Sequence, residues 1–302
     1  MRWSGIACRR ALWEVTIRSM RTRWSFFLLT ALASSACTST PQPMPPTAAY
    51  SSVWQARIDV VDDAVFADVA EHGFRMVDLS GYSVNGEQRY AGVWQFADGR
   101  GWDERHGLTR QALEASLVDH DKVAARIVHL TAWSGADGPR FAAIWDSAQG
   151  PLRTAKIGLS AVELEVAERE ATSHDARMID VCGWTEDGAS RFAAIWEASP
   201  KDVVSAVHVD LTPTALDALL ADAAARSLRP IRVAGYEASD GSARFVALTT
   251  PYLGAMWLVR HDLDAADYQK GLEEMVGIGY RIEQLSAYVL GDRPRFVALW
   301  SQ

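Results

Sequence analysis

One pattern recurs five times along this chain and restricts its fold more than any other feature. An Arg that opens a hydrophobic run stands at Arg75, Arg126, Arg177, Arg229 and Arg281, at steps of 51, 51, 52 and 52. Seven residues on, an aromatic follows each time: Tyr82, Trp133, Trp184, Tyr236 and Tyr288. A second Arg comes at Arg89, Arg140, Arg191, Arg244 and Arg295, and five residues beyond it stand Trp94, Trp145, Trp196, Thr249 and Trp300. A period of this length holds one supersecondary unit, and such units bury their cores by stacking on their neighbours.

The pieces of one unit can be read in order. Asp62, Thr109, Ser160, Thr212 and Asp264 precede Ala/Leu/Glu-rich stretches. From that position a side-chain oxygen accepts the free N–H groups of a first helical turn, so five helices are predicted to begin there. Pro213 at the first helical position and Ser160 with Glu163 at capping-box spacing agree, and Leu216, Leu219, Leu220 and Ala223 make one apolar stripe. After each helix comes a period-two run in which Val77 and Leu79, Val128 and Leu130, Ile179 and Val181, and Ile231 and Val233 are expected to share one face. Asn85-Gly86, Asp137-Gly138, Asp187-Gly188 and Asp240-Gly241, with Gly291-Asp292 in the fifth copy, mark hairpin turns. The returning strand, Arg140 to Trp145 in the second copy, is apolar on both faces and should be central or covered. Segments around Arg57, Arg105, Lys156, His208 and Arg260 supply a first strand, so the expected unit is strand, helix, strand, hairpin, strand.

The fold class is then an α+β repeat protein, with units over 51–98, 99–149, 150–200, 201–251 and 252–302. One helix on three strands leaves an apolar edge and face that the next copy must cover. The fifth copy stays apolar to Trp300, where an open array would carry a polar cap, so a closed, propeller-like ring is expected. A chain with 49% hydrophobic and 23% charged residues is not a disordered or collagen-like one. No apolar run reaches the roughly 18 residues of a membrane-spanning helix. A formal charge of −8 with four Lys provides no basic stripe for phosphate backbones, which argues against nucleic acid as a partner.

Residues 1–36 read as a signal segment. Met20 is the expected start; Arg21 and Arg23 precede the apolar stretch Ser25 to Ala33, and Ser34-Ser35-Ala36 lead to Cys37. The last four residues resemble the lipobox of bacterial lipoproteins, which implies a lipid-anchored Cys37 on a membrane face of the bacterial envelope; ordinary cleavage after Ala36, releasing a periplasmic or secreted protein, is the alternative. Removing residues 1–36, with six Arg and one Glu, takes the formal charge from −8 to −13. Residues 37–50 hold four Pro and read as a tether. With Cys37 acylated, Cys182 has no partner, so packing rather than disulfides must hold the fold.

Gly73-Phe74-Arg75, Ser80-Gly81-Tyr82, Arg105-His106-Gly107-Leu108, Arg191 to Trp196 and Gly279-Tyr280-Arg281 resemble the bacterial tandem repeat family, itself similar to the N-terminal domain of fungal polyglycine hydrolases. The resemblance covers 51–302. In those hydrolases catalysis is implied to reside in a separate β-lactamase-like domain with a Ser-x-x-Lys nucleophile. No Ser-x-x-Lys occurs in this chain, so the resemblance implies no protease or β-lactamase activity here.

Catalytic motifs, phosphate loops and Cys-x-x-Cys are lacking, and neither metal nor cofactor is implied. His72 falls at a helix end, Arg105-His106 and Arg260-His261 occupy equivalent positions, and Cys182 stands in the column of Ser80 and Thr131 as a small buried residue. The informative column is Asp78, His129, Asp180, Arg232 and Gln284, which varies in charge while its surroundings repeat. Four residues along the same face come Tyr82, Trp133, Trp184, Tyr236 and Tyr288. Together these ten are the candidate ligand-binding residues, suited to a protein, peptide or glycan; aromatics at a fixed repeat position are more often wedges that fill gaps between units, and that is the competing reading. The repeated second Arg is expected to bind carbonyls or carboxylates of the next copy. Three functions are open: a binding module, a hydrolase built on Asp78, His129 and Asp180, and a structural spacer.

Overall fold

Side-chain oxygens start four of the helices. Thr109 Oγ1 accepts from Ala112 N at 3.2 Å, Ser160 Oγ from Glu163 N at 3.3 Å, Thr212 Oγ1 from Ala215 N at 3.2 Å and Asp264 Oδ1 from Asp267 N at 2.8 Å. At Ser160 the capping box is complete, since Glu163 accepts in return from the Ser160 N–H at 2.8 Å. The structure, a computed structural model, describes residues 54–61, 63–199, 205–252, 254 and 256–302. The cap expected at Asp62, the signal segment, Cys37 and the tether lie outside the described residues.

The first unit comprises β1 (Trp54–Val60), α1 (Asp63–Glu71), β2 (Phe74–Val84) and β3 (Glu87–Phe96). The second comprises β4 (Trp102–Leu108), α2 (Arg110–Lys122), β5 (Arg126–Gly135) and β6 (Gly138–Asp146). The third comprises β7 (Arg153–Leu159), α3 (Ala161–Ser173), β8 (Ala176–Glu186) and β9 (Ala189–Ala198). The fourth comprises β10 (Ala206–Leu211), α4 (Pro213–Ala225), β11 (Leu228–Glu237) and β12 (Ala243–Pro251), and the fifth β13 (Trp257–Leu263), α5 (Ala265–Gly277), β14 (Arg281–Leu290) and β15 (Arg293–Ser301).

Every sheet is antiparallel with its third strand in the middle, in the order β1-β3-β2 and its equivalents. That placement accounts for the apolar runs Phe141 to Trp145, Phe192 to Trp196 and Phe296 to Trp300, all buried. Helices pack onto the sheets through Leu113, Leu164, Leu216 and Met275. The second strand is one of the two edges of each sheet, and these second-strand edges meet. β2 lies against both β5 and β14, β8 against β5 and β11, and β11 against β14.

One expectation about the second strands is corrected. Each carries a bulge, with Val77, Val128, Ile179, Ile231 and Glu283 as the unpaired extra residue. An extra residue reverses the side-chain alternation. Leu79 therefore packs with Phe66 and Val69 of its own helix, while Val77 packs on the core formed by Tyr268, Met275 and Ile282 of the fifth unit. The two do not share a face. The pattern recurs with Val233 beside Leu216 and Ile231 on the preceding core.

The hairpins also differ in detail. Asn85-Gly86 and Asp187-Gly188 have φ of +52° and +80°, and +52° and +73°, as a two-residue turn of the primed type requires. In the second unit Gly135 pairs with Gly138, so the turn residues are Ala136-Asp137 rather than Asp137-Gly138. Gly138 opens the returning strand at φ +100°, a conformation that favours glycine.

Candidate functional site

The bulge in each second strand sits immediately before Asp78, His129, Asp180, Arg232 and Gln284, and these five side chains meet where the strands gather. Four obey one rule: each bonds the backbone of the residue following its counterpart in the preceding unit. His129 Nε2 lies 2.6 Å from Leu79 O, Asp180 Oδ2 accepts from Leu130 N at 2.8 Å, Gln284 Oε1 accepts from Val233 N at 2.8 Å, and Asp78 Oδ2 accepts from Leu285 N at 2.7 Å. The last joins the first unit to the fifth.

Arg232 breaks the rule. Its guanidinium reaches across instead, donating to Asp78 Oδ1 and placing Nε 2.6 Å from Asp180 Oδ1. His129 Nδ1 faces Asp180 Oδ2 at 2.8 Å, and Nε2 has Asp78 Oδ1 at 3.5 Å beside its carbonyl partner. Nδ1 also lies 3.0 Å from Arg232 Nη2, which would suit a neutral ring accepting there. The short approach to a carboxylate decides for a donating Nδ1, because two lone pairs at 2.8 Å would repel. Both ring nitrogens then donate and the ring is an imidazolium. Burial opposes that charge, but Asp180 and then Asp78 outweigh it and Arg232 together, so the His129 pKa is raised. Burial likewise opposes the Asp180 carboxylate, yet Arg232 and His129 hold its pKa down to about 2. Two anions and two cations balance.

Chemically this cluster is closed. Asp180 is surrounded by Leu130 N, Val181 N, His129 and Arg232, and Asp78, His129 and Asp180 are each no more than 3% exposed. The space among Ser80, His129, Cys182, Arg232 and Gln284 would admit about one water molecule. Burial pushes the Cys182 thiol pKa up, which leaves it an inert small side chain. Among the described residues no cluster of His, Cys, Asp or Glu could hold a metal.

The aromatic column is corrected as a ligand face and takes the place of wedges between units. Tyr82, Trp133, Trp184, Tyr236 and Tyr288 are 1–5% exposed and offer no face to a sugar or peptide. Each stands edge-on to a ring of the preceding unit: Trp133 to Tyr90, Trp184 to Phe141, Tyr236 to Phe192, Tyr288 to Phe245 and Tyr82 to Phe296. The wedges need a small partner. A Cβ added at Gly81 would overlap the indole of Trp133, and one added at Gly235 would lie 2.5 Å from Tyr288 Cδ1. Ser80 completes the same seam, accepting from Ala287 N at 2.9 Å, as Ser286 accepts from Gly235 N at 3.3 Å.

A further column escaped the sequence reading. Asp59, Gly107, Gly158, Asp210 and Asp262 all adopt positive φ at the irregularity in the first strand. Asp occurs in the units with Tyr in the wedge column and Gly in those with Trp. Tyr82 donates to Asp59 at 2.5 Å and Tyr236 to Asp210, whereas an added Cβ at Gly158 would strike Arg110, which crosses there to Glu186 at 2.7 Å. The pairing of the two columns was the available signal.

Arg89, Arg244 and Arg295 of the second Arg series act within their own units, not on the next copy. Arg89 binds Glu87 at 2.8 Å and Asp59 at 3.5 Å, Arg295 lies 3.5 Å from Asp262, and Arg244 donates to Ser242 and Ala243. Each is the cross-strand partner of its unit's wedge aromatic, so its carbon stem and charge lie over the hairpin. His106 and His261 bridge neighbouring units, His106 stacked on Phe66 at 4.8 Å and His261 2.9 Å from Asp217.

A five-unit architecture built on seam-forming columns defines a class of structural repeat domains. Comparison with protein families matches the polyglycine hydrolase-like structural repeat over residues 63–97, 99–148, 150–199, 205–248 and 254–302, and the chain belongs to that family. Comparison with the curated proteins gives no match.

Proposed function

We propose that the five units close into a propeller-like ring serving as a rigid, exported and lipid-anchored interaction module for a protein, peptide or glycan of the bacterial envelope. The observation that carries this reading is the seam between the fifth and first units. Tyr82 against Phe296, Ser80 on Ala287 and Asp78 on Leu285 repeat the contacts of the internal seams. With the axis filled by Asp78, His129, Asp180, Arg232 and Gln284, partners would meet the outer surfaces. Ser34-Ser35-Ala36-Cys37 supports the anchor.

The hydrolase alternative has the approach of His129 to Asp180 in its favour. Against it stand both committed ring nitrogens and the lack of room for a substrate, since a general base must reach the proton it removes. The test is a screen of the mature protein against envelope glycans and peptides. Binding without turnover is expected; turnover abolished by His129→Gln in folded protein would replace this reading. Cys37→Ser is expected to move the protein from the membrane fraction to the soluble one.

A further inference from the structure

The two ends of the units are unlike. In each, the first and second strands run one way and the helix runs back, so helix C-termini, inter-unit linkers and the start of β1 lie at one end, and hairpins and helix N-termini at the other. The second strands are aligned level by level, His129 beside Leu79 and Ser134 beside Thr185, so like ends coincide across units. Among the described residues, the strongly exposed Phe96, Leu152, Met256 and Ile278 all belong to the linker end, joined by Val123 at the C-cap of α2. Leu152 is 84% exposed and Met256 66%. The large exposed apolar residues elsewhere, Val61, Val118, Val162 and Val166, are all Val. Scattered exposed apolar residues are ordinary, but a collar of the largest ones around one end is not.

The chain outside the described fold indicates what covers this collar. β1 begins at Trp54 on the same end, and sixteen residues separate it from Cys37. Sixteen residues can reach at most about 55 Å. We infer that the linker end docks on a lipid surface, with Phe96, Val123, Leu152, Met256 and Ile278 entering the interface while the hairpin end faces away. This rests on the lipid-anchor reading, and the two can fail separately.

The test uses the full chain, in a Cys8→Ser background, isolated from bacterial membranes and placed in phosphatidylethanolamine–phosphatidylglycerol vesicles. An environment-sensitive fluorophore is attached at Leu152→Cys or Met256→Cys, and for the opposite end at Val162→Cys or Glu87→Cys. Labelling of the chain without an added Cys reports whether the Cys37 thiol is blocked, Cys182 being buried. Emission moving to shorter wavelength with lipid at 152 and 256, and unchanged at 162 and 87, is expected. Equal emission at both ends in anchored protein overturns docking and leaves the anchor standing. If Cys37 is free, the anchor fails, and vesicles are added to the soluble chain with Cys37→Ser so that only the added Cys takes the label: the same end-specific shift upholds docking, and no shift overturns it. A shift that appears without vesicles and grows with protein concentration assigns the collar to self-association and overturns the proposal.

Discussion

At the scale of single residues, the Asp78–His129–Asp180–Arg232 cluster carries the largest expected effects. Asp180→Asn leaves Arg232 and His129 short of a buried counter-charge and is expected to cost about 3–5 kcal/mol in urea unfolding. The pH dependence has a definite sign. Asp180, held down to about 2, contributes stability that is present above its ordinary value and lost as pH falls through about 2. His129, raised from 6.5, contributes stability present below 6.5 and lost as pH rises through the raised value. Unfolding midpoints against pH should therefore lose their alkaline slope in His129→Gln, and an unchanged slope would refute the imidazolium. For the positive-φ column, Asp59→Gly and Tyr82→Phe should each cost about 1 kcal/mol and together less than their sum, as a double-mutant cycle reads out. The variation of charge at Asp78 and its counterparts was legible in the chain. Its meaning was not, because a sequence period does not say that five copies of one position meet.

At the scale of elements, caps and periodicity were readable because they are local. Thr109, Ser160, Thr212 and Asp264 each cap the helix expected of them, and Ser160→Ala should lower stability by about 1 kcal/mol in thermal unfolding. The bulges were unreadable for a physical reason. Every copy has one at the same place, so the repeat register is undisturbed, yet one extra residue turns Val77 away from Leu79 and aims Asp78 at the cluster. The turn of the second unit falls one residue earlier than expected because a Gly at positive φ suits both the turn and the first residue of the strand after it, which is where Gly138 lies.

At the scale of the whole molecule, the repeat and its strand-helix-strand-strand unit could be read directly from spacing, while which strand of each unit lines the seam could not. A permuted chain tests the closure proposed above. Natural linkers between units, such as 97–101, are short. Joining Gln302 to residue 54 through one of that length, and reopening the chain between 149 and 150, should leave the unfolding midpoint nearly unchanged; failure to fold would argue for an open array.

The seam between β14 and β2 also has a consequence in time. Ser80 and Asp78 find their partners 207 residues further along the chain. The first segment made by the ribosome must therefore wait, incompletely folded, for the last, and the slow step of maturation should be this long-range joining rather than the assembly of any one unit.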